Sequence, residues 1–498
     1  MQAAGRIRYT GWMPPHPPRV ATWKAAIARP GPPLALAVAL AAGWVLFGLD
    51  APLVEDSLFW WVPKGLLAAQ GGPARVLAGA LPDAMTAGLT PETTPPQWRG
   101  GLPDYAHPPL WYAWLGLFLG QSASVHAVHL ACLLPAVVAA AGFVKLGERL
   151  GNPWAGLAVL CLPPVVAQAW RPELDLPLLA AVPWALVALV DGRWRSFALL
   201  SALAVWCKEP GVLLAAPAVW RAARERRLRW EALAPLAALG LWGLLHPEGL
   251  AKPERLPADL ASWLTRDLPL AFRLALVEQG RWVLLLGAPL ALWGKDRSLP
   301  HQLLAVFALT WVVFFSVVGF STGRSPGFVL THVRYFVPGI AVMVLLVGSR
   351  WPWLALPGLL WMHDRSPYGP EGSLWGIDVG RAEVAAAPWI EAAARQGVVW
   401  VGSYQAAGLT QPWAGRTPRP VLGFRVYSAD TRPAALALGS TVLIADYGEP
   451  AGRLERGLSL EPVERWTVGE ASVVAYTVAA VREVAAPVEV EGPGTPPR

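Results

Sequence analysis

Long apolar runs separated by short charged connections fill most of the first 362 residues of the chain. The first run extends from Pro33 to Leu49. Ten more follow, at residues 126–145, 153–169, 174–190, 196–207, 211–220, 231–245, 282–293, 302–320, 336–348 and 351–362. A helix that crosses a bilayer needs about 20 apolar residues, so the shorter runs must extend at their ends or break. The pattern predicts an all-α polytopic membrane domain of about 11 transmembrane helices.

Basic residues mark every second connection between these runs. They are Lys145 and Arg149, Arg193 and Arg195, the arginines of residues 221–229, Lys295 and Arg297, and Arg350. Short cytoplasmic loops carry an excess of lysine and arginine, which assigns all these connections to the cytoplasm. The basic segment 1–32 is then cytoplasmic too, and an odd number of spans places the C-terminus outside. The residues after Leu49 make a poor signal-peptidase site, so the first helix is expected to stay uncleaved.

Composition narrows the class of protein further. Hydrophobic residues make up 54% of the chain and charged residues 15%, against roughly 25% charged residues in ordinary soluble domains. So few ionisable groups exclude a soluble enzyme, a disordered chain and a nucleic-acid-binding module. The formal charge of +7 sits in connections between apolar runs, as topology signals do. Cys132, Cys161 and Cys207 lie in apolar stretches, which predicts buried thiols rather than disulfides or metal ligands.

The pattern changes after residue 363, where glycine and proline separate shorter elements. Residues 381–396 have the periodicity of an amphipathic helix, and residues 398–401, 441–445 and 472–478 that of buried strands. A small extracytoplasmic α/β domain is therefore predicted at 375–480, followed by a disordered tail at 485–498. The membrane domain that precedes it covers 33–362. Its first outer loop, residues 50–125, is expected to carry interfacial helices.

The informative positions are ionisable groups at the ends of apolar runs, because charge at membrane depth costs several kcal/mol unless it is paired or hydrated. Five clusters stand out, and the predicted topology places all of them on the outer face. In chain order they are Glu55-Asp56, Asp104 with His107-Pro108-Pro109-Leu110, Arg171-Pro172-Glu173-Leu174-Asp175, Lys208-Glu209-Pro210-Gly211 and Arg334-Tyr335. This convergence predicts a polar site at the outer surface of the membrane.

The carboxylates each have two interpretations. Glu55 and Asp56 suit a general base or a divalent-cation site, or they are solvated loop charges. Glu173 and Asp175 share one face of an extended segment and suit a metal ion or sugar hydroxyls. Asp175 is also a fair helix N-cap. A divalent cation therefore stays an open alternative, and no other cofactor is indicated.

The cationic groups also have a structural and a functional interpretation. His107 is either a phosphate donor or a turn residue before two prolines. Lys208 either pairs with its neighbour Glu209 in a turn or faces an anionic headgroup. Arg334 either extends its stem toward lipid phosphates or holds two oxygens of a ligand phosphate at once.

The order of the clusters resembles the GT-C superfamily of integral-membrane glycosyltransferases, in particular the branch of protein O-mannosyltransferases and lipid A aminoarabinose transferases. The likeness covers about residues 35–345 and consists of short motifs in the same order. It implies that the stretch after Pro108-Pro109 is an interfacial helix, which agrees with the charge alternation of the loops. Glu55-Asp56 is reversed relative to the usual Asp-Glu of the family. The outer loop 70–104 matches none of its motifs.

The resemblance implies transfer of a sugar from a polyprenyl-phosphate donor to a hydroxyl of a lipid, glycan or protein, outside a bacterial inner membrane. It implies that Asp56 is the catalytic base, with Glu55 as the alternative. The residues implied to bind the donor phosphate are Arg334, Lys208, His107 and Tyr335. Those implied to bind the sugar or the acceptor are Glu173, Asp175, Glu209 and Asp104. The rival interpretations are a membrane permease or scaffold and a degenerate transferase. A permease is expected to have mid-span charges and repeated halves. Charges gathered on one face favour the enzyme.

Overall fold

The structure of the protein is a computed structural model. It describes residues 31–53, 57–77, 94, 107–120, 124–247, 261, 264–265, 269, 289, 298–318, 333–351, 375–402, 424–427, 439–445, 458–469 and 471–481. Several predicted features lie outside these described residues. They are the N-terminal segment up to residue 30, the pair Glu55-Asp56, Asp104, the run 282–293 apart from residue 289, residues 352–362 and the tail 485–498.

Helices dominate the described chain up to residue 351. They are α1 (Gly31–Phe47), α2 (Val62–Leu77), α3 (Leu110–Leu119), α4 (Val125–Arg149), α5 (Trp154–Leu160), α6 (Pro163–Trp170), α7 (Asp175–Val190), α8 (Trp194–Cys207), α9 (Ala215–Glu225), α10 (Ala234–Leu245), α11 (Leu299–Val318) and α12 (Val337–Arg350). A π turn at Ser57–Trp61 leads into α2. The 3₁₀ turns Glu209–Leu214, Trp230–Leu233 and Val333–Phe336 lead into α9, α10 and α12.

The helix α4 has the length and composition of a membrane span. It has 25 residues and is the one helix of the described part that is long and apolar enough to cross a bilayer. At about 1.5 Å per residue it exceeds the roughly 30 Å of bilayer hydrocarbon. The other apolar helical stretches are shorter, at 10–17 residues, counting only Leu299–Phe315 of the 20-residue helix α11. The described helices therefore do not establish the predicted number of about 11 spans.

The predicted run 153–169 is broken into two helices. α5 ends at Leu160 and α6 begins at Pro163. Pro163 and Pro164 lack a backbone N–H, so they interrupt a helix but suit the first turn of the next one. α5 packs directly on α4, because a Cβ on Gly156 would lie 2.6 Å from the backbone of Val144. The break was missed because two short apolar helices have the hydropathy of one longer run.

The helices α2 and α3 of the first outer loop form one tightly packed unit. α3 has ten residues, which at about 1.5 Å per residue reaches about half of the hydrocarbon thickness. Its backbone touches that of α2, since a Cβ on Gly116 would lie 3.0 Å from the carbonyl oxygen of Gly65. α2 bends at Gly72, where φ is +70° and a side chain would be strained. This unit carries His107 just before α3.

Close backbone packing also fixes the positions of α7, α8 and the turn that follows α8. α7 lies against α4, where Gly142 leaves room for Pro183: a Cβ at this glycine would lie 2.7 Å from the proline Cγ. α8 packs on α7. The turn Glu209–Leu214 folds back on α8, since a Cβ on Gly211 would lie 2.5 Å from the backbone of Ala204. These contacts leave little freedom for the segments that carry the polar clusters.

Residues 375–481 contain an α/β unit. Its elements are α13 (Trp375–Gln396), β1 (Val399–Gly402), β2 (Phe424–Tyr427), β3 (Thr441–Ala445), β4 (Leu458–Val468) and β5 (Ala471–Val481). The sheet order is β2-β1-β3-β5-β4, with β1 parallel to β2 and β3, and β5 antiparallel to β3 and β4. α13 packs on β4 and β5, and Val379 and Ile390 share a buried core with Val473 and Ala475.

The predicted helix 381–396 and the predicted strands at 398–401, 441–445 and 472–478 correspond to α13, β1, β3 and β5. β2 and β4 were not predicted. β4 is an edge strand with two register shifts, one of them between Pro462 and Glu464. Proline and charged residues are tolerated at an edge because that strand pairs on one side only. They remove the alternating pattern by which a strand is found in a sequence.

Cysteine labelling in intact cells tests the predicted sidedness of the chain. Arg226 follows α9 in a basic connection, and Gln396 ends α13; both are exposed. In a Cys161→Ala background, because Cys161 is itself exposed, we expect an impermeant maleimide to label Q396C and not R226C. Both must react in permeabilised cells. Labelling of R226C in intact cells, or a Q396C that reacts only after permeabilisation, would contradict the predicted topology.

Candidate active site

The structure describes the side chains of six predicted site residues. They are His107, Glu173, Asp175, Lys208, Glu209 and Tyr335. Glu55, Asp56 and Asp104 lie outside the described residues. Arg334 lies in the turn Val333–Phe336 that leads into α12, and its side chain is also outside the described part. The six described side chains come from four separate segments of the chain, and contacts connect several of them.

His107 and Glu209 form a direct pair across 102 residues of chain. The imidazole Nδ1 lies 2.7 Å from Oε2 and 3.0 Å from Oε1 of the carboxylate. Both side chains are mostly buried, with 19% and 15% of their surface exposed. The pair ties the start of α3 to the turn Glu209–Leu214. His107 is therefore more than a turn residue before two prolines, and it has a carboxylate partner.

The surroundings of His107 favour its neutral form. Burial lowers the pKa of His107 below its usual value, and the ammonium groups of Lys208 and Lys64 lower this pKa further. Glu209 acts in the opposite direction through its charge and hydrogen bond but does not outweigh burial. In the neutral ring Nδ1–H donates to Glu209, so the lone pair is on Nε2. A neutral ring offers Nε2 as a hydrogen-bond acceptor and has no net positive charge with which to attract a phosphate oxygen.

Lys208 and Asp175 form a second pair, deeper than the first. The ammonium nitrogen lies 2.5 Å from Oδ1 of the carboxylate, and 7% and 4% of the two side chains are exposed. The pair joins the residue after α8 to the start of α7, 33 residues apart in the chain. Asp175 is the first residue of α7 and Leu174 takes the N-cap position. The alternative in which Asp175 is the N-cap is therefore wrong.

The alternative in which Lys208 pairs with Glu209 is also wrong. Lys208 is the C-cap of α8, with φ −161° and ψ 135°. Neighbouring side chains point to opposite sides in such an extended backbone. Lys208 therefore contacts Asp175 while Glu209 contacts His107. One short turn thus connects two pairs that face different parts of the site.

Arg171 and Glu173 lie fully inside the protein between α6 and α7. A guanidinium nitrogen is 3.5 Å from Oε1 of Glu173, and 1% of each side chain is exposed. The indole Nε1 of Trp111 donates to the carbonyl oxygen of Pro172 at 2.8 Å, which attaches this segment to α3. Glu173 and Asp175 were predicted to share a face, yet they pair with different cations. Each buried carboxylate has a basic partner, which offsets part of its desolvation cost.

Tyr335 lies beside Lys208. The ammonium nitrogen of Lys208 is 4.9 Å from the centre of the tyrosine ring, within the range of a cation–π contact. The ring of Phe315 stacks on Tyr335 with centres 5.7 Å apart, and Trp311 donates to the Tyr335 carbonyl oxygen at 2.7 Å. α11 thus holds the turn of Arg334 and Tyr335 at the cluster. Through Tyr335, the motif Arg334-Tyr335 contacts Lys208 of the motif that begins at that lysine.

Lys64 is a member of this region that the sequence interpretation missed. It lies on α2, 3% of its surface is exposed, and its ammonium nitrogen is 5.3 Å from the centre of the Tyr112 ring. Tyr112 stacks on Trp61, and Trp61 meets His107 edge-on with ring centres 5.5 Å apart. The available signal was a lysine in an otherwise apolar stretch, Ser57 to Leu67, that was assigned to the membrane surface.

The described part of the chain contains no cluster of side chains that suits a metal ion. No group of three or more histidine, cysteine, aspartate or glutamate side chains that suits a metal ion occurs among the described residues. His107 and Glu209 form a pair, and Glu173 and Asp175 contact basic side chains. Glu55 and Asp56, the carboxylates for which a cation was considered, lie outside the described part.

Comparison with solved structures finds similar chains, one of them of comparable length. No protein-family model matches the chain, and no curated protein sequence matches it. The crystal structure of ArnT from Cupriavidus metallidurans bound to undecaprenyl phosphate is similar at a TM-score of 0.48 and 14% sequence identity, covering 89% of this chain and 97% of that one. A score below 0.5 at this identity assigns neither fold nor function. The function of this chain is therefore inferred from its own residues.

Proposed function

We propose that the protein is a membrane glycosyltransferase. It moves a sugar from a polyprenyl-phosphate donor to an acceptor hydroxyl on the outer face of a bacterial inner membrane. The acceptor oxygen attacks the anomeric carbon, the bond from that carbon to the phosphate oxygen breaks, and the lipid phosphate leaves with the electron pair. The hydroxyl proton passes to a base of the protein.

The observation that carries the proposal is the buried polar cluster in an otherwise apolar helical region. Lys208 contacts both Asp175 and Tyr335, and Glu209 contacts His107. These residues come from motifs that are far apart in the sequence and whose order prompted the resemblance to GT-C enzymes. Buried ionisable groups are costly and mark functional sites more often than other positions do. A scaffold that only displays an outer domain has no need of them.

Charge on the departing phosphate requires fixed positive charge close to it, because water is depleted at the membrane interface. Lys208 is a buried ammonium that Asp175 and Tyr335 hold in place. Arg334 precedes Tyr335 and is the second phosphate ligand of the proposal. The neutral state of His107 suits contact with a sugar or acceptor hydroxyl instead, because Nε2 is then a hydrogen-bond acceptor.

The base of the proposal is Asp56, with Glu55 as the alternative. Both residues immediately precede the turn Ser57–Trp61 in the sequence, and Trp61 of that turn contacts His107. A carboxylate accepts a proton from an attacking hydroxyl when it lies within hydrogen-bond reach of it. In this proposal the pair of His107 and Glu209 orients the hydroxyl for the proton transfer.

Mass spectrometry of cell-envelope material tests the proposal directly. Surface glycans, lipids and glycoproteins are compared in cells that contain the chain, lack it, or carry the inactive variant Asp56→Asn. We expect one sugar modification to disappear both without the chain and with the variant. Identical profiles in all three cell types, together with no release of polyprenyl phosphate by the purified protein, would contradict a transferase and favour the scaffold.

Variants of Arg334 test its proposed contact with the donor phosphate. The flat guanidinium holds two phosphate oxygens at once, whereas lysine keeps the charge and loses this fork. We expect turnover to fall from wild type to Arg334→Lys and further to Arg334→Ala, with unchanged protein yield. The measurement is transfer from a synthetic polyprenyl-phosphate sugar in detergent.

Arg350→Ala is the matched control for this series. It removes an arginine from the other end of α12, where the guanidinium carbon lies 5.3 Å from the centre of the Trp351 ring. Its turnover should equal that of the wild type. If Arg334 only extends toward membrane lipids, lysine replaces it without loss, because both side chains do this equally well. Equal turnover of wild type, R334K and R334A would remove Arg334 from the site.

A further inference from the structure

The connection between α9 and α10 is rich in arginine. Residues 221–231 contain five arginines and two glutamates, a net charge of +3. Three of the arginines hold neighbouring helix ends. Arg221 donates to the last turn of α7, and Arg224 donates to Gln302 of α11. The guanidinium of Arg229 lies 5.4 Å from the centre of the Trp194 ring on α8. These three side chains therefore have a use within the fold.

Arg226 and Arg227 have no such use. Both side chains are exposed, and neither guanidinium forms an ion pair, a hydrogen bond or a cation–π contact with the residues that the structure describes. The carboxylate of Glu225 is occupied by Arg221, at 2.6 Å. Two adjacent guanidinium groups are therefore available to an anion from outside the chain.

The backbone at Arg226 adopts a conformation that side chains disfavour. Its φ is +51° and its ψ +37°, and in the described chain it is the one residue other than glycine with a positive φ. Helices often end on a residue in this left-handed conformation, and glycine is the usual choice because it has no Cβ. Backbone strain that persists in a fold is frequently linked to function. An arginine in place of glycine indicates that the side chain at this position is used.

Two large apolar side chains are exposed beside these arginines. Leu228 has 77% of its surface exposed and Trp230 has 72%. Trp230 begins the turn that leads into α10, and Leu241 of that helix is exposed too. Water solvates such a row poorly, whereas bilayer hydrocarbon covers it. Tryptophan is enriched where hydrocarbon meets the headgroups. With α10 in a bilayer, Trp230 lies at headgroup level and the two arginines precede it in the chain.

We propose that Arg226 and Arg227 bind the phosphates of anionic phospholipids, with Leu228 and Trp230 inserted among the acyl chains beside them. The inference rests on the membrane location that belongs to the proposed function, but this segment supplies none of the proposed catalytic groups. A guanidinium holds two phosphate oxygens at once and is attracted to an anionic membrane surface. The exposed apolar residues that continue into α10 favour a lipid over a soluble acidic protein as the partner.

Fluorescence quenching by brominated phospholipids in nanodiscs tests the proposal. A bimane label is attached to Leu228→Cys in the Cys161→Ala background, and brominated phosphatidylglycerol or brominated phosphatidylcholine replaces unlabelled phosphatidylcholine stepwise. One basic residue near an anionic surface contributes about fivefold in affinity. We expect half-maximal quenching at a mole fraction of phosphatidylglycerol that is lower than that of phosphatidylcholine by about fivefold or more.

Arg226→Gly combined with Arg227→Gln is the test variant. Glycine adopts the left-handed conformation without strain, so the end of α9 is preserved while the side chain is lost. The preference for phosphatidylglycerol should disappear. Arg227→Gln alone leaves the backbone at residue 226 unchanged and should give an intermediate preference. Arg195→Gln with Arg350→Gln is the matched control, because it removes two exposed positive charges from α8 and α12 and should retain the preference.

A second label position separates the possible failures. Bimane at Leu241→Cys reports on the lipid around α10 and should be quenched equally by the two lipids. Quenching there without quenching at Leu228→Cys would overturn the lipid contact and favour a soluble partner. Failure at both positions would contradict the membrane location itself.

Two further results would also overturn the proposal. One is equal quenching by the two lipids at Leu228→Cys of the otherwise unchanged protein. The other is a preference that survives both Arg227→Gln and its combination with Arg226→Gly, or that the control variant loses to the same extent. Selective quenching in a protein that transfers no sugar would support this inference while the proposed transfer fails.

Discussion

Replacing Asp56 with asparagine is expected to lower the rate of sugar transfer by a factor of about 10²–10⁴, the usual effect of losing a general base. The acceptor hydroxyl becomes more acidic as its oxygen bonds to the anomeric carbon, and a carboxylate takes its proton. Asparagine keeps the shape and a hydrogen-bond acceptor but does not take up a proton. The measurement is the initial rate of polyprenyl-phosphate release by purified protein at saturating donor.

Glu55→Gln is the matched variant, because it neutralises the neighbouring carboxylate in the same loop. We expect a smaller loss of rate than for Asp56→Asn, and equal protein yield for both. A dead Glu55→Gln beside a mildly impaired Asp56→Asn would assign the base to Glu55, as the reversed order of the two acids allows. Near-normal rates in both variants would show that this acidic pair supplies no base.

The second large effect concerns the buried pair of Lys208 and Asp175. Lys208→Met leaves the carboxylate of Asp175 without its contact at 2.5 Å and almost without solvent, since 4% of that side chain is exposed. Removing one partner of such a pair destabilises a protein by about 3–5 kcal/mol. We expect this loss in the unfolding free energy measured in detergent, together with loss of transfer.

The double variant Lys208→Met with Asp175→Asn separates folding from catalysis. Removing both charges avoids the uncompensated carboxylate, so most of the lost stability should return. Transfer should not return, because the ammonium that faces the leaving phosphate is still missing. A double variant with normal transfer would show that Lys208 serves only the fold.

Lys145→Met provides the matched control for this cycle. Lys145 pairs with Glu148 at 2.9 Å, but 31% and 27% of these side chains are exposed. Partly exposed pairs contribute about 0–1 kcal/mol, because solvent screens them and replaces the lost partner. A loss of stability comparable to that of Lys208→Met would indicate that burial is not the reason for the expected effect.

The helical segments were predictable because their signal is local. Apolar length alone gave the run 126–145 for α4, which covers Val125–Arg149, and the run 174–190 for α7, which covers Asp175–Val190. The same signal failed at Pro163, where two helices meet within one apolar run. It also failed at β4, whose charged residues and proline suit an edge strand but lack alternation.

The sequence also indicated which residue types gather at the ends of the segments. Charges near a membrane are costly wherever they occur, so each cluster stands out from its neighbours without knowledge of the fold. His107, Glu173, Asp175, Lys208 and Glu209 were singled out in this way, whereas Tyr335 was named as the neighbour of Arg334. Lys64 was passed over because a single lysine in an apolar surface helix has an ordinary explanation, namely a charge that reaches water. Only its burial against Tyr112 contradicts that explanation.

Sequence by itself therefore determined the main helices and the polar motifs, because hydropathy and charge act at each position separately. Tertiary structure alone decided the partners. His107 pairs with Glu209 across 102 residues and Lys208 with Asp175 across 33. These pairings follow from the packing of α7 on α8 and from the extended backbone at Lys208, which sends neighbouring side chains in opposite directions. Local patterns do not contain that information, because it depends on which helix ends the folded chain brings together.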